Sequence, residues 1–238
     1  MPHVVYIAWG FPPSRSGGAY RQLATANALA AAGWDVTVLT VDRTVFTQIT
    51  GADLSLEERI DPRVEVVRTP FPWPLRNPDR STWSLPHRAL PRVWRKCRIA
   101  AELALFPEPH YSPWLRPLGR ALREVERRQH VDLVLASGNP HVAFAAAYGL
   151  HRSTGVPYVL DYRDAWLLDV FTGRQAYPDW GRRARWERRV MGRAAQAWFV
   201  NGAIRDWHAA RYPDLADRFL VVPNGWDPDL LGAASADL

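Results

Sequence analysis

HVVYIAWGFPPSRSGGAYRQLATANALAAAGWDVTVLT, residues 3–40, decides the fold. It opens on a short apolar run from His3 to Trp9 that ends at Gly10, and it closes on a second such run from Trp34 to Thr40. Short apolar runs bounded by glycine read as buried strands. The stretch between them, from about Gly18 to Ala32, has a helical pattern, so the segment is a strand, helix, strand unit. The alternation returns downstream, with Val64 to Arg68, Val131 to Ala136, Tyr158 to Asp161, Ala197 to Val200 and Phe219 to Val222 reading as strands and helical patterns separating most of them. This predicts an α/β fold: a doubly wound, mostly parallel sheet with helices on both faces. Ligands of such sheets sit beyond the carboxyl ends of the strands, which directs attention to the loops that follow them.

Composition bounds the alternatives. A chain of 238 residues with 47% apolar side chains suits one large domain better than two small ones. No run of eighteen apolar residues occurs, and Met1-Pro2-His3 supplies neither a charged leader region nor a cleavage site, so the chain is expected to begin folded, in the cytoplasm. Cys97 is the only cysteine, which rules out an internal disulfide, a CxxC pair and a cysteine-based zinc cluster. The net charge is +6, and all but one of the 30 basic residues are arginine, Lys96 being the exception. Arginine suits bidentate contact with phosphate, so nucleotide sugar, anionic lipid and nucleic acid are all open as partners; the bias is equally a property expected of base composition.

Three loops carry polar chemistry. In the first, Gly10 to Tyr20 (GFPPSRSGGAY), Pro12 and Pro13 bar helix, and Gly17 and Gly18 stand just ahead of a helix whose unpaired amides and positive dipole end face the cleft, a place for a phosphate. The loop matches neither GxGxxG nor GxxxxGK[ST], which removes the usual support for an NAD or ATP assignment; a tight turn into a helix accounts for the glycines equally well. The second loop reads Ser137-Gly138-Asn139-Pro140-His141. Pro140 suits the first turn of a helix running to about Ser153, with Asn139 as its N-cap and His141 near the helix start, able to donate to a sugar hydroxyl or phosphate or simply to serve the structure. The third reads Asp161-Tyr162-Arg163-Asp164-Ala165-Trp166. Its charges either form an ion network, with Arg163 and Asp161 pinning the loop, or face a ligand such as a sugar.

The stretch from Pro70 to Pro117 falls outside the sheet pattern. It holds Trp73, Trp83, Trp94 and Trp114, many prolines and the basic run Arg88, Arg92, Arg95, Lys96, Arg98. Such an insertion either lies on an anionic bilayer or presents a solvated basic face over buried tryptophans. A second arginine cluster, Arg182 to Arg193, spreads around a helix and reads as solvated. No nucleic-acid-binding motif accompanies either cluster, so nucleic acid is not expected as a partner.

Taken in order, three motifs resemble family 4 retaining glycosyltransferases of the GT-B fold. PPSRSGGAYRQLATANALAAAGWDVTVLT (Pro12 to Thr40) resembles their start, where a glycine pair and a helix precede G-H-x-V-x-V-L-T; Trp34-Asp35 stand here at the histidine position. VPYVLDYRDAW (Val156 to Trp166) is similar to a strand and loop of the same family, and Val221-Val222-Pro223-Asn224-Gly225-Trp226-Asp227 resembles its V-I-P-N-G-V-D hinge. The resemblance implies that residues 1–223 are the Rossmann-like, acceptor-side domain, with its insertion at about 70–117, and that 224–238 begin the hinge. The family's donor-binding domain, with its E-x7-E motif, follows that hinge, whereas this sequence stops soon after Asp227.

By the same resemblance, a sugar passes from a nucleoside-diphosphate donor, held mainly by the second domain, to a glycan, lipid-linked or small-molecule hydroxyl with retention and without a metal or other cofactor. Gly17 and Gly18 would face the diphosphate, His141 and Asp164 would lie near the transferred sugar, and Asn139, Arg163 and Trp166 would meet the acceptor. Alone, the chain would be an incomplete and inactive transferase, cytoplasmic or peripheral at the inner face of a membrane. The alternative is a non-catalytic subunit that presents an acceptor or docks on a membrane for a separate donor-binding chain.

Overall fold

The computed structural model describes residues 1–71, 73 and 79–225. Seven parallel strands form the main sheet, in the order β3-β2-β1-β4-β5-β8-β9. These are β1 (His3–Ile7), β2 (Asp35–Val41), β3 (Val64–Thr69), β4 (Leu133–Gly138), β5 (Tyr158–Tyr162), β8 (Gln196–Phe199) and β9 (Phe219–Val221). A separate hairpin joins β6 (Leu168–Asp169) to β7 (Arg174–Gln175). The helices are α1 (Gly17–Ala31), the single turn α2 (Arg43–Val45), α3 (Leu85–Ala89), α4 (Pro91–Leu105), α5 (Leu115–Arg128), α6 (Val142–Thr154), α7 (Arg182–Met191) and α8 (Gly202–Arg211).

Local chemistry explains the boundaries. After α1 the chain reverses at Gly33, whose φ of +86° only glycine adopts freely, while the Gly33 and Trp34 amides donate back to Ala30 O and Leu29 O at 3.1 Å. Gly155 ends α6 in the same left-handed conformation, at φ +83°. Register then sorts the strand side chains by alternation. Val5 and Ile7 join the core formed with α5, α6, α7 and α8, whereas Val4 and Tyr6 join the core under α1. Every residue of β1 is buried, as a strand covered on both faces requires.

The stretch from Pro70 to Pro117 contributes α3 and α4. Trp114 is fully buried and donates Nε1–H to Thr69 Oγ1 at 2.7 Å, fixing the segment to the end of β3. Trp73 is buried too, while the rings of Trp83 and Trp94 sandwich His87 at 3.7 Å each. Among the described residues no helix is long and apolar enough to cross a membrane.

Strand order reverses between β1 and β4, so their carboxyl ends diverge and leave the crevice where α/β sheets bind ligands. The loops after β1, β4 and β5 meet there.

Candidate functional site

The floor of the crevice is a buried ion pair. Arg21, in the second turn of α1, donates Nη2–H to Asp161 Oδ1 at 2.6 Å and Nε–H to Oδ2 at 3.2 Å, with both side chains almost wholly buried. Ser137, at the end of β4, donates to the same Oδ2 at 3.2 Å. The remaining Arg21 nitrogen, Nη1, donates to Val222 O at 2.8 Å, Pro223 O at 2.9 Å and Asn224 Oδ1 at 3.4 Å. One guanidinium therefore ties α1, β5 and the Val222-Pro223-Asn224 stretch together. Burial opposes its charge, but the hydrogen bond and charge of Asp161 outweigh that and hold its pKa above the ordinary value. Burial, reinforced by Asp161, also pushes the Tyr6 hydroxyl well up.

Of the two readings open for the 161–166 loop, Asp161 takes the ion pair, and its partner is Arg21 from α1 and not a group within the loop. Asp161 shares with Val159 the face of β5 that α1 covers, and Arg21 arrives there from α1.

Arg163 is half-buried. Its Nη2 lies 3.2 Å from Asp164 Oδ2 and donates to Asn139 O at 3.4 Å. Its guanidinium lies directly over Gly18, where a Cβ would come within 1.8 Å of Nη1. Gly18 is thus the glycine that a close approach demands, whereas a Cβ on the exposed Gly17 would meet nothing within 4 Å. No side chain caps α1, because the Ser16 hydroxyl is taken up with Ser14 Oγ at 3.0 Å. The preceding loop is fastened in place: Asp53 N donates to Pro13 O at 2.7 Å and Arg68 Nη2 to Pro12 O at 2.8 Å.

The β4 loop differs from its expected form. Helix α6 starts at Val142, so His141, not Asn139, occupies the cap position, and Asn139 is exposed. The capping group comes from outside the loop. Glu108 accepts from His141 N at 3.0 Å and from Val142 N at 2.8 Å, placing a carboxylate on the positive end of the helix. The same carboxylate lies 3.3 Å from His141 Nδ1, and His141 Nε2 lies 3.3 Å from Asp164 O. Both ring nitrogens thus face oxygen acceptors. The ring stacks on Trp166 at 4.9 Å with 3° between planes, and both are buried. Asp164 keeps its carboxylate 56% exposed.

A continuous chain of contacts results: Gly18 to Arg163, Arg163 to Asn139 and Asp164, Asp164 to His141, His141 to Trp166. All seven residues singled out from sequence lie along it, Gly17 by its place beside Gly18. Sequence reasoning missed Arg21 and Glu108. Arg21 stands between Tyr20 and Gln22 in a helix and Glu108 between two prolines, and only the tertiary fold shows what either reaches. Trp226 and Asp227 of the hinge motif lie outside the described residues. Elsewhere, a groove of about 470 Å³ between α5 and α6, lined by Arg116, Arg120 and Arg123, lies on the helix flank away from these loops. Among the described residues no cluster of three or more His, Cys, Asp or Glu is placed to hold a metal ion.

A Rossmann-like half with its polar loops at the carboxyl edge is the architecture of a GT-B glycosyltransferase domain, and solved structures share it. Sucrose-phosphate synthase from Thermosynechococcus elongatus superposes with a TM-score of 0.56 at 14% identity, over 97% of this chain and 50% of that one. Arabidopsis thaliana UGT89C1 complexed with UDP gives 0.56 at 14% identity, over 100% and 52%, and the same protein complexed with quercetin gives 0.54 at 14%, over 97% and 54%. The chain thus spans about half the length of these proteins. Compared with curated proteins by sequence, it matches none. Residues 16–225 match the family described as "Glycosyl transferase 4-like domain", and the chain belongs to that family as an N-terminal, GT-B-type domain.

Proposed function

We propose that this chain is the acceptor-side half of a retaining glycosyltransferase that works joined to a donor-binding domain, taking a nucleoside-diphosphate sugar as donor and an acceptor hydroxyl as nucleophile. The observation that carries the reading is the uncapped start of α1 with the Arg163 guanidinium laid over Gly18. Backbone N–H groups, a helix dipole and a cation converge there, as suits the donor diphosphate that the resemblance implies at the glycine pair. In the reaction the bond from the anomeric carbon to the diphosphate oxygen breaks, a bond to the acceptor oxygen forms, and the acceptor's proton passes to the departing diphosphate. The negative charge that develops on the leaving diphosphate is stabilised from this side by Gly17, Gly18 and Arg163 and from the other side by the donor domain. No protein nucleophile, metal or prosthetic group is assigned.

Asp164, with its exposed carboxylate, faces the acceptor, and Asn139 lines the same edge. His141 acts through Asp164: clamped between Glu108 and the Asp164 carbonyl and stacked on Trp166, it is a positioning residue in this reading, not a group that touches substrate. The occupants of two structures of one neighbour, UGT89C1 with UDP and with quercetin, are consistent with a nucleotide and a small hydroxylated acceptor meeting at such an edge. A glycan or lipid-linked acceptor fits the family equally, and exposed Arg92, Arg95 and Lys96 on α4 favour an acceptor found at an anionic membrane, with the protein peripheral on its cytoplasmic side.

The test uses the chain joined to its donor domain, with product anomers read by NMR. Arg163→Ala and Asp164→Ala should lower kcat by about 100-fold, as loss of a transition-state contact does, without loss of fold. Unchanged turnover in both variants, or an inverted product, would overturn the reading.

A further inference from the structure

We propose that the β6–β7 hairpin and the segment after it anchor this chain on an anionic bilayer, seating the acceptor edge of the sheet at the lipid–water boundary. Phe171 at the hairpin tip is 97% exposed, Val170 beside it 54%, and Trp180 five residues past β7 81%. The turn that carries Val170 and Phe171 is fixed by its own hydrogen bonds. Asp169 Oδ1 accepts from Phe171 N at 3.0 Å and from Thr172 N at 3.3 Å, and Asp169 O accepts from Gly173 N at 2.8 Å. Gly173 closes the turn at φ +67°, and the root of the hairpin, Trp166 to Leu168, is buried.

Apolar side chains fixed in water mark a surface meant to be covered. The charge around this one is net positive. Arg174, Arg182, Arg185, Arg188 and Arg189 are exposed, while the nearby acids are occupied, Asp169 in the turn and Asp179 by Arg211. An aromatic wedge rimmed by arginine fits anionic lipid, with Phe171 entering the acyl boundary and Trp180 lying among headgroups. The same composition recurs on α3 and α4, where Leu85, Leu90 and Val93 are exposed among Arg88, Arg92, Arg95 and Lys96. Recurrence on two elements suits an extended lipid surface better than the single pocket of a protein partner. The hairpin begins four residues after Asp164, so a lipid-borne acceptor would arrive beside the candidate site. That last consequence rests on the transferase reading, but docking does not.

Flotation of the purified chain with vesicles of phosphatidylcholine alone, or mixed with phosphatidylglycerol, tests docking without donor or turnover. The chain should float with the mixed vesicles only, less so as salt rises. The double substitution Phe171→Ser, Trp180→Ser should cut binding at least about tenfold, the loss expected when one large apolar side chain no longer leaves water. Because both positions are exposed, melting should be unchanged; as a check independent of that variant, brominated lipid should quench wild-type fluorescence more than that of Trp180→Phe. The proposal is overturned by failure to float with the mixed vesicles or by full binding of the double variant. A concentration-dependent dimer abolished by the same substitutions would assign the patch to a second copy of the chain and overturn it equally.

Discussion

Two regions beyond the carboxyl ends of the strands contrast in how they treat exposed and buried groups. In the crevice between β1, β4 and β5, the two charged side chains that hold the loops are largely buried and matched: Arg21 spends all three guanidinium nitrogens on protein acceptors, and Glu108 serves two amides and a ring nitrogen. At the hairpin a few residues away, apolar side chains stand in water on a fully hydrogen-bonded turn. The difference separates scaffolding from contact surface. Groups whose partners lie within the fold hold loops still, and groups without them are offered to something else.

Substitutions can break that division. Arg21→Met should be the most damaging, because it strands Asp161 as a buried, unpaired charge; a loss of about 3–5 kcal/mol by denaturant unfolding is expected. Hydrogen exchange at 219–225 should rise with it, since Arg21 clamps the carbonyls of Val222 and Pro223 just past the β8–β9 pairing. Glu108→Ala comes next, at about 1–3 kcal/mol, from loss of a charge-assisted cap and exposure of two α6 amides. The glycine pair gives a smaller and more selective result. Gly18→Ala forces the flexible Arg163 aside, so melting should move little while phosphate or diphosphate affinity falls; Gly17→Ala should leave both within about 0.5 kcal/mol. Phe171→Ser should leave stability within about 0.5 kcal/mol as well, since the ring touches little but water.

The sheet was readable because β1, β2 and β4 are apolar on both faces and their glycine boundaries are local; strand limits moved by two residues at most, as at Val131, where β4 starts at Leu133. The glycine pair and the 161–166 loop were legible for the same reason. What sequence could not give was pairing across the fold. The neighbour of Asp161 in sequence is Arg163, yet its partner comes from 140 positions away, and the cap of α6 comes from a loop 33 residues upstream of His141. Asn139 has the right chemistry for a cap, but Glu108 reaches the amides with a full charge, and Asn139 is left at the surface.

The central claim is a division of labour, in which this half orients the acceptor and lends only a weak anion site to the donor. Calorimetric titration of the chain with a panel of nucleoside diphosphates, nucleotide sugars and candidate acceptors tests it most directly. The account predicts acceptor binding that Asp164→Ala weakens, with no nucleotide sugar bound tightly. Tight nucleotide-sugar binding by this chain alone, insensitive to Arg163→Ala, would contradict it.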